Sequence, residues 1–326
     1  MSLRFLPGAL SLIALASCTH AARTTAAPAP RLVPTTDRTP PPVAVTVPGD
    51  FPEGVAVDAS GTLYTASTTS GAVFAATPGG AVRTLVPANG SIITALGLAV
   101  GPDGTVYVAD TQNPSFAREG EPAGTVKRIA PDGAVTVVLS AKTGAPLRVP
   151  NGIAFDASGA MYVSDTQTGT IWRVPRGGAP TQFLTGLEGP NGLAFDREGR
   201  LVYTAYFAGE VWRVPVAAEG TAGTPERLAR DIPNADGVAV DSTTGAIYVA
   251  ANEYGVIRLD PPRARSAAWR PTVVAGGFAN AASCVIHRNT LYVTDSQFAA
   301  LGGRRPKGPM VIRAYALGPD RRALRK

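Results

Sequence analysis

Apolar and polar positions alternate in short runs along most of this chain, and one phrase of that alternation keeps returning. It reads Gly-apolar-Ala-apolar, then a polar turn, then a strand that usually carries Tyr. Copies stand at Gly54-Val55-Ala56-Val57, Gly97-Leu98-Ala99-Val100, Gly152-Ile153-Ala154-Phe155, Gly192-Leu193-Ala194-Phe195 and Gly237-Val238-Ala239-Val240. A worn sixth copy is Ser283-Cys284-Val285-Ile286. The copies are spaced by 40 to 55 residues, the period of a propeller blade. Each unit reads as four short strands parted by Gly-rich and polar turns. In the third unit these are predicted at 152–156, 160–164, 169–174 and 181–184. Even strands without an amphipathic helix predict an all-β fold, a six-bladed β-propeller.

A ring needs closure. The last unit offers only three strands, at 282–286, 290–294 and 310–317, while a spare strand at 42–48 precedes the first blade. The spare N-terminal strand is predicted to close the last blade as its outer strand, leaving no open edge there. The third strands also align, at Val126-Lys127-Arg128, Ile171-Trp172-Arg173, Val211-Trp212-Arg213, Val256-Ile257-Arg258 and Val311-Ile312-Arg313. One Arg per blade is expected to be structural, because a repeat copies surface residues along with its core.

Length and composition add the surroundings. Of 326 residues, the propeller takes 42–318, enough for one substantial core. Residues 1–17 read as a signal peptide: Arg4, an apolar run over 9–16, then Leu15-Ala16-Ser17-Cys18. That ending resembles a bacterial lipobox, with Cys18 as the lipidated residue; ordinary signal cleavage and secretion is the competing reading. Residues 18–41, rich in Ala, Thr and Pro, read as an extended tether. The expected location is therefore the bacterial envelope, on the outer-membrane or periplasmic side. No apolar run is long enough for a transmembrane helix. The formal charge of +6 is dispersed, apart from basic clusters at 304–307 and in the tail 319–326. Without stacking aromatics or a recognition helix, nucleic acid is not an expected partner. A monomer is expected. Cys284, in an inner strand, is expected to be a buried small hydrophobe.

The residue before each repeated Gly varies: Glu53, Leu96, Asn151, Asn191, Asp236, and Ala282 ahead of Ser283. First strands line the channel of a propeller, so these positions meet at one mouth. Two carboxylates and two amide carbonyls there suit a hard divalent ion such as Ca²⁺, with Zn²⁺, Mn²⁺ or Mg²⁺ as alternatives. The competing reading is local, since Asn-Gly and Asp-Gly are common turn pairs. Histidine chemistry is nearly excluded, because only His20 and His287 exist. Asp58, Asp156, Asp196 and Asp241 fall at the opposite mouth and are expected to serve hairpin turns. The long connections 112–124 and 297–309 flank blade 1 on the ligand side. They bring Arg118 and Arg304 into consideration as contacts for an anionic substrate group.

The phrases Pro190-Asn191-Gly192-Leu193-Ala194-Phe195-Asp196 and Asp236-Gly237-Val238-Ala239-Val240-Asp241 resemble the gluconolactonase (senescence marker protein) family, and the resemblance extends over about 42–317. It implies a six-bladed propeller and a metal-dependent lactone or ester hydrolase. It implies Glu53, Asn191 and Asp236 as metal ligands, Asp236 also as general base, and Asn151 beside metal and substrate. The chain departs from the family pattern in two places. Glu53-Gly54 is followed by Val55, and Val149 stands where a basic residue often precedes the blade-3 Asn. Val106-Tyr107-Val108-Ala109-Asp110 also resembles NHL-type repeats, which mostly bind partners. A non-catalytic, lipid-anchored binding propeller is the alternative function.

Overall fold

The computed structural model describes residues 39–48, 51–113, 121–262, 268–300 and 308–317. The described residues form six four-stranded antiparallel sheets. Blade 3 is typical, with strands Pro150–Phe155, Met161–Asp165, Thr170–Val174 and Thr181–Leu184. The predicted strands of this unit are recovered within two residues. Apart from two short 3₁₀ turns there is no helix among the described residues.

The spare strand, Val43–Val47, is the outer strand of blade 6 and pairs antiparallel with Met310–Ala316, Val45 against Ile312 and Val47 against Met310. Its inward face packs Val45 and Val47 into a cluster with Val55, Phe74, Tyr292 and Ile312, which belongs to blades 1 and 6 together.

The repeated glycine answers to the neighbouring blade. A Cβ on Gly97 would lie 2.1 Å from the carbonyl oxygen of Asn151, and one on Gly152 would lie 2.2 Å from that of Asn191. Inner strands approach so closely around the axis that no side chain fits between them.

Each aligned arginine bonds a partner within its own blade, Asp103, Tyr162, Glu226, Asp260 and Asp295 in order, and their register needs one correction. Arg128, Arg173, Arg213 and Arg258 lie opposite Tyr107, Tyr162, Val202 and Tyr248, whereas Arg313 lies opposite Val293, one residue out of step. Arg313 thereby takes the register of Lys127, opposite Val108. Both cations bond a buried aspartate: Lys127 Nζ lies 2.6 Å from Asp110 and Arg313 Nε 2.9 Å from Asp295.

Candidate functional site

The inner strands are irregular at one end. Pairing with the second strand skips between Pro52 and Val55, Pro150 and Ile153, and Pro190 and Leu193. The residues skipped are Glu53-Gly54, Asn151-Gly152 and Asn191-Gly192. The two Asn-Gly pairs lie inside strands Pro150–Phe155 and Pro190–Phe195 and form no turn. A bulge of this kind re-aims a side chain. Glu53, Asn151 and Asn191, joined by Asp236 just ahead of strand Val238–Val240, line one cavity of about 440 Å³ at the channel mouth. All four are buried, at 4–7% exposure.

The two carboxylates face each other without a cation among the described lining residues. Burial, and then the charge of Asp236, push the Glu53 carboxyl well above the usual carboxylate range. Burial pushes Asp236 up to about 7, against hydrogen bonds from Asn252 and Asn191 that pull it down. Asn252 Nδ2 donates to Asp236 Oδ2 at 2.9 Å, and the Tyr206 hydroxyl donates to Asn252 Oδ1 at 3.0 Å. Glu53 Oε2 is buried with no hydrogen-bond partner, which in a native protein calls for an explanation such as an ion.

Hydroxyls of the preceding blade hold the backbone of three of these residues. Thr294 Oγ1 donates to the carbonyl of Glu53 at 2.7 Å, Ser164 Oγ to that of Asn191 at 2.6 Å, and Thr204 Oγ1 to that of Asp236 at 2.5 Å. The same second-strand position in blades 1, 2 and 5 is Ala66, Ala109 and Ala250. Those blades precede Leu96, Asn151 and Ala282. The hydroxyl is thus present only where the next blade presents Glu53, Asn191 or Asp236. Ser296 and Thr166 add bonds to the carbonyls of Pro52 and Pro190, immediately before Glu53 and Asn191. Glu53, Asn191 and Asp236 are therefore marked off from Leu96, Asn151 and Ala282 by a hydroxyl bond to their backbone carbonyls.

Tyr206 and Asn252 escaped the reading of the sequence. Both follow a second strand, where blades 2, 3 and 6 read Asp110-Thr111-Gln112, Asp165-Thr166-Gln167 and Asp295-Ser296-Gln297. Blades 4 and 5 break that phrase with Ala205-Tyr206-Phe207 and Ala251-Asn252-Glu253, and the break was the available signal. The retained aspartates accept backbone N–H groups of the connection entering their own blade, as Asp165 does from Arg148 and Val149. Asn252 has φ +44°, a left-handed conformation that Asn tolerates better than most residues.

At the opposite mouth, Asp58, Asp156, Asp196 and Asp241 each accept backbone N–H groups of their own hairpins, from Ser60, Ser158, Glu198 and Thr243. Cys284 is buried in an inner strand, its thiol pushed up to about 12 by burial. Arg118, Arg304 and Cys18 lie outside the described residues.

Comparison with known proteins places this geometry. Residues 175–297 match the family model described as SMP-30/gluconolactonase/LRE-like region, and residues 43–82 match the one described as strictosidine synthase-like, N-terminal. No curated protein matches the chain in sequence. Among solved structures, a gluconolactonase from Xanthomonas campestris superposes with a TM-score of 0.64 at 18% identity, over 89% of this chain and 99% of its own. A calcium-binding protein, regucalcin, from Agrobacterium tumefaciens strain C58 gives 0.63 at 18%, over 86% and 94%. Virginiamycin B lyase from Staphylococcus aureus gives 0.57 at 13%, over 85% and 88%. At such identities the structural likeness carries the fold alone. The sequence match over 175–297 spans Asn191, Asp236 and Asn252, and with it this six-bladed propeller carries an SMP-30/gluconolactonase/LRE-like region.

Proposed function

We propose that the mouth cavity binds a divalent cation and that the protein hydrolyses a lactone or ester there. The observation that carries this reading is Glu53 Oε2, buried and unpartnered beside a second buried carboxylate. Among the described residues no three His, Cys, Asp or Glu gather. The donors on offer are two carboxylates and two amide carbonyls, an all-oxygen set suited to Ca²⁺. Glu53, Asn191 and Asp236 would hold the ion, and Asn151 stands ready for substrate. Such an ion supplies Lewis-acid polarisation of the scissile carbonyl.

Asp236 acts as general base. It takes a proton from water as the new O–C bond forms at the carbonyl carbon. It returns the proton to the alkoxide as the ring or ester C–O bond breaks, giving the hydroxy acid or the acid and alcohol. With the cation bound, Asp236 is held ionised, the form that takes up a proton and returns it. Asn252 fixes its orientation and is itself held by Tyr206.

Calorimetric titration of Ca²⁺, Mg²⁺, Mn²⁺ and Zn²⁺ into EDTA-treated protein, followed by a lactone and aryl-ester panel, tests the reading. One tight site lost in Asp236→Ala, with turnover dependent on that ion, is the expected result. Binding that survives Asp236→Ala removes the site assignment, and binding without turnover leaves a metal-binding propeller. The hydroxyl clamp gives a second expectation. Ser164→Ala and Thr294→Val, which also remove acceptors of the Gly152 and Ser283 N–H groups, lower ion affinity about tenfold or more, while Thr294→Ser keeps it. Unchanged affinity in the first two variants would mean that the clamp serves only the fold.

We also propose that Cys18 carries a lipid anchor and that residues 19–41 tether the propeller to the envelope. Intact-mass analysis of membrane-extracted protein checks this: a lipid-sized increment lost in Cys18→Ala is expected, and its absence in wild type supports secretion instead.

A further inference from the structure

The cavity has two halves of different character. Its floor is polar, with Glu53, Asn151, Asn191, Asp236 and Asn252. Its wall and rim carry Leu96, Val149, Phe207 and Phe298. Leu96 and Val149 are buried, and they stand in blades 2 and 3 around one side of the floor. Phe207 is 58% exposed and rests edge-on against Tyr206, with ring centroids 5.7 Å apart. Phe207 thus differs from a scattered surface residue in lining the same cavity as the polar floor.

The wall offers few free hydrogen-bond donors among the described residues, its hydroxyls being left only to accept. The Thr166 hydroxyl already donates to the Pro190 carbonyl at 2.9 Å, and the Tyr206 hydroxyl to Asn252 at 3.0 Å. Gln167 alone presents a buried carbonyl oxygen without a partner there. A polyhydroxylated ring needs a partner for each hydroxyl it buries, and a site lacking them loses binding for every one. An alkyl or aryl substituent needs none and gains from leaving water.

We infer that this site takes a lactone or ester bearing an apolar alkyl or aryl substituent, in preference to a sugar lactone. The carbonyl lies on the polar floor and the substituent lies along Leu96 and Val149 towards the Phe207 rim. One hydrogen-bonding group on the substituent would meet Gln167. This inference rests on the hydrolase reading for its chemistry, and on the wall residues alone for its selectivity.

The experiment uses the Ca²⁺-loaded full chain with δ-lactones whose side chain grows from methyl to octyl, and with glucono-δ-lactone. The expected kcat/KM rises roughly fourfold per methylene, the transfer free energy of a CH₂ group, until the wall is covered. Glucono-δ-lactone falls below the longer alkyl lactones. Phe207→Ser flattens the rise, and Val149→Arg flattens it and favours the hydroxylated ring. A parallel titration uses the matching alkyl lactams, which resist hydrolysis; their affinity is expected to climb with the same slope. Graded lactam binding without lactone turnover would sink the hydrolase reading and leave the apolar wall standing. Lactone turnover that ignores chain length, or that favours glucono-δ-lactone, would overturn the inference and leave the hydrolase. Lactams that bind without gradation, or fail to bind, also overturn it.

Discussion

Asp236→Asn is expected to abolish divalent-ion uptake and lactone turnover, and yet to raise the melting temperature of the metal-free protein at pH 8. The two effects share one cause. Burial and the neighbouring Asp236 hold Glu53 well above its ordinary range, and burial holds Asp236 at about 7. In the unfolded chain an Asp titrates near ~3.9. Between that value and about 7 the folded protein binds more protons than the unfolded one. Stability is therefore fullest below the unfolded value and falls as pH rises through the window. Once Asp236 is ionised the accumulated penalty is on the order of 4 kcal/mol at ~1.4 kcal/mol per pH unit. Asn keeps the shape and can still accept from Asn252, but it carries no charge. The metal-free variant should melt about 5 °C or more above wild type at pH 8 and near it at pH 4. Saturating Ca²⁺ then stabilises wild type by ~2–3 kcal/mol at a hundredfold excess over Kd and leaves the variant unmoved. The base is lost too, so kcat/KM falls by about 10³-fold or more. Differential scanning calorimetry at both pH values, with EDTA and with Ca²⁺, reads all of this. A variant that melts below wild type at pH 8, or that still responds to Ca²⁺, contradicts the paired-carboxylate account.

The same pair shows which parts of the site could be read from the chain. Residues at one register of a cyclic repeat must converge, so aligning the phrases was enough to bring Glu53, Asn151, Asn191 and Asp236 to one mouth. The meaning of Gly152 was not legible in the same way. Its Cβ would strike the carbonyl of Asn191 on the next blade, and no local pattern separates that contact from a turn. Thr294 was hidden for a related reason. Its bond to Glu53 crosses 241 positions and is a consequence of ring closure. Tyr206 and Asn252 were legible in principle, as departures from Asp-Thr/Ser-Gln, but only to a reader aligning second strands. Arg313 misled because its local phrase matches the other blades while its pairing register does not. A repeat therefore transmits what lies within a blade, and conceals what lies between blades until the ring is assembled. The site is built mostly from contacts of the second kind.

The strand that closes the ring should accordingly carry stability far beyond its length. Removing residues 39–47 from the chain uncovers the edge of strand Met310–Ala316 and strips Val45 and Val47, now 5% and 3% exposed, from the cluster with Val55, Phe74, Tyr292 and Ile312. Two buried valines contribute about 3–5 kcal/mol together. The ladder bonds are lost with them, as is the donation of the Gly79 N–H to the Ala44 carbonyl at 3.1 Å, which ties blade 1 to the clasp. Domains of ordinary stability have 5–15 kcal/mol in all, so a fall of the melting temperature by on the order of 10 °C or more is expected. The loss should reach the site, because blade 6 supplies Thr294 and Ser296 to the backbone of Glu53 and Pro52. Ion affinity should therefore drop even at temperatures where the truncated protein stays folded. The uncovered edge is a template for strand addition. A synthetic peptide of residues 41–48 added in trans should bind it, restore most of the melting temperature and recover ion affinity, whereas a peptide with Val45 and Val47 replaced by Asp should do neither. A truncated protein that melts like the full chain would show that blades 1 and 6 hold the ring without a clasp. Rescue of melting without rescue of affinity would instead separate the closure of the ring from the placement of Glu53.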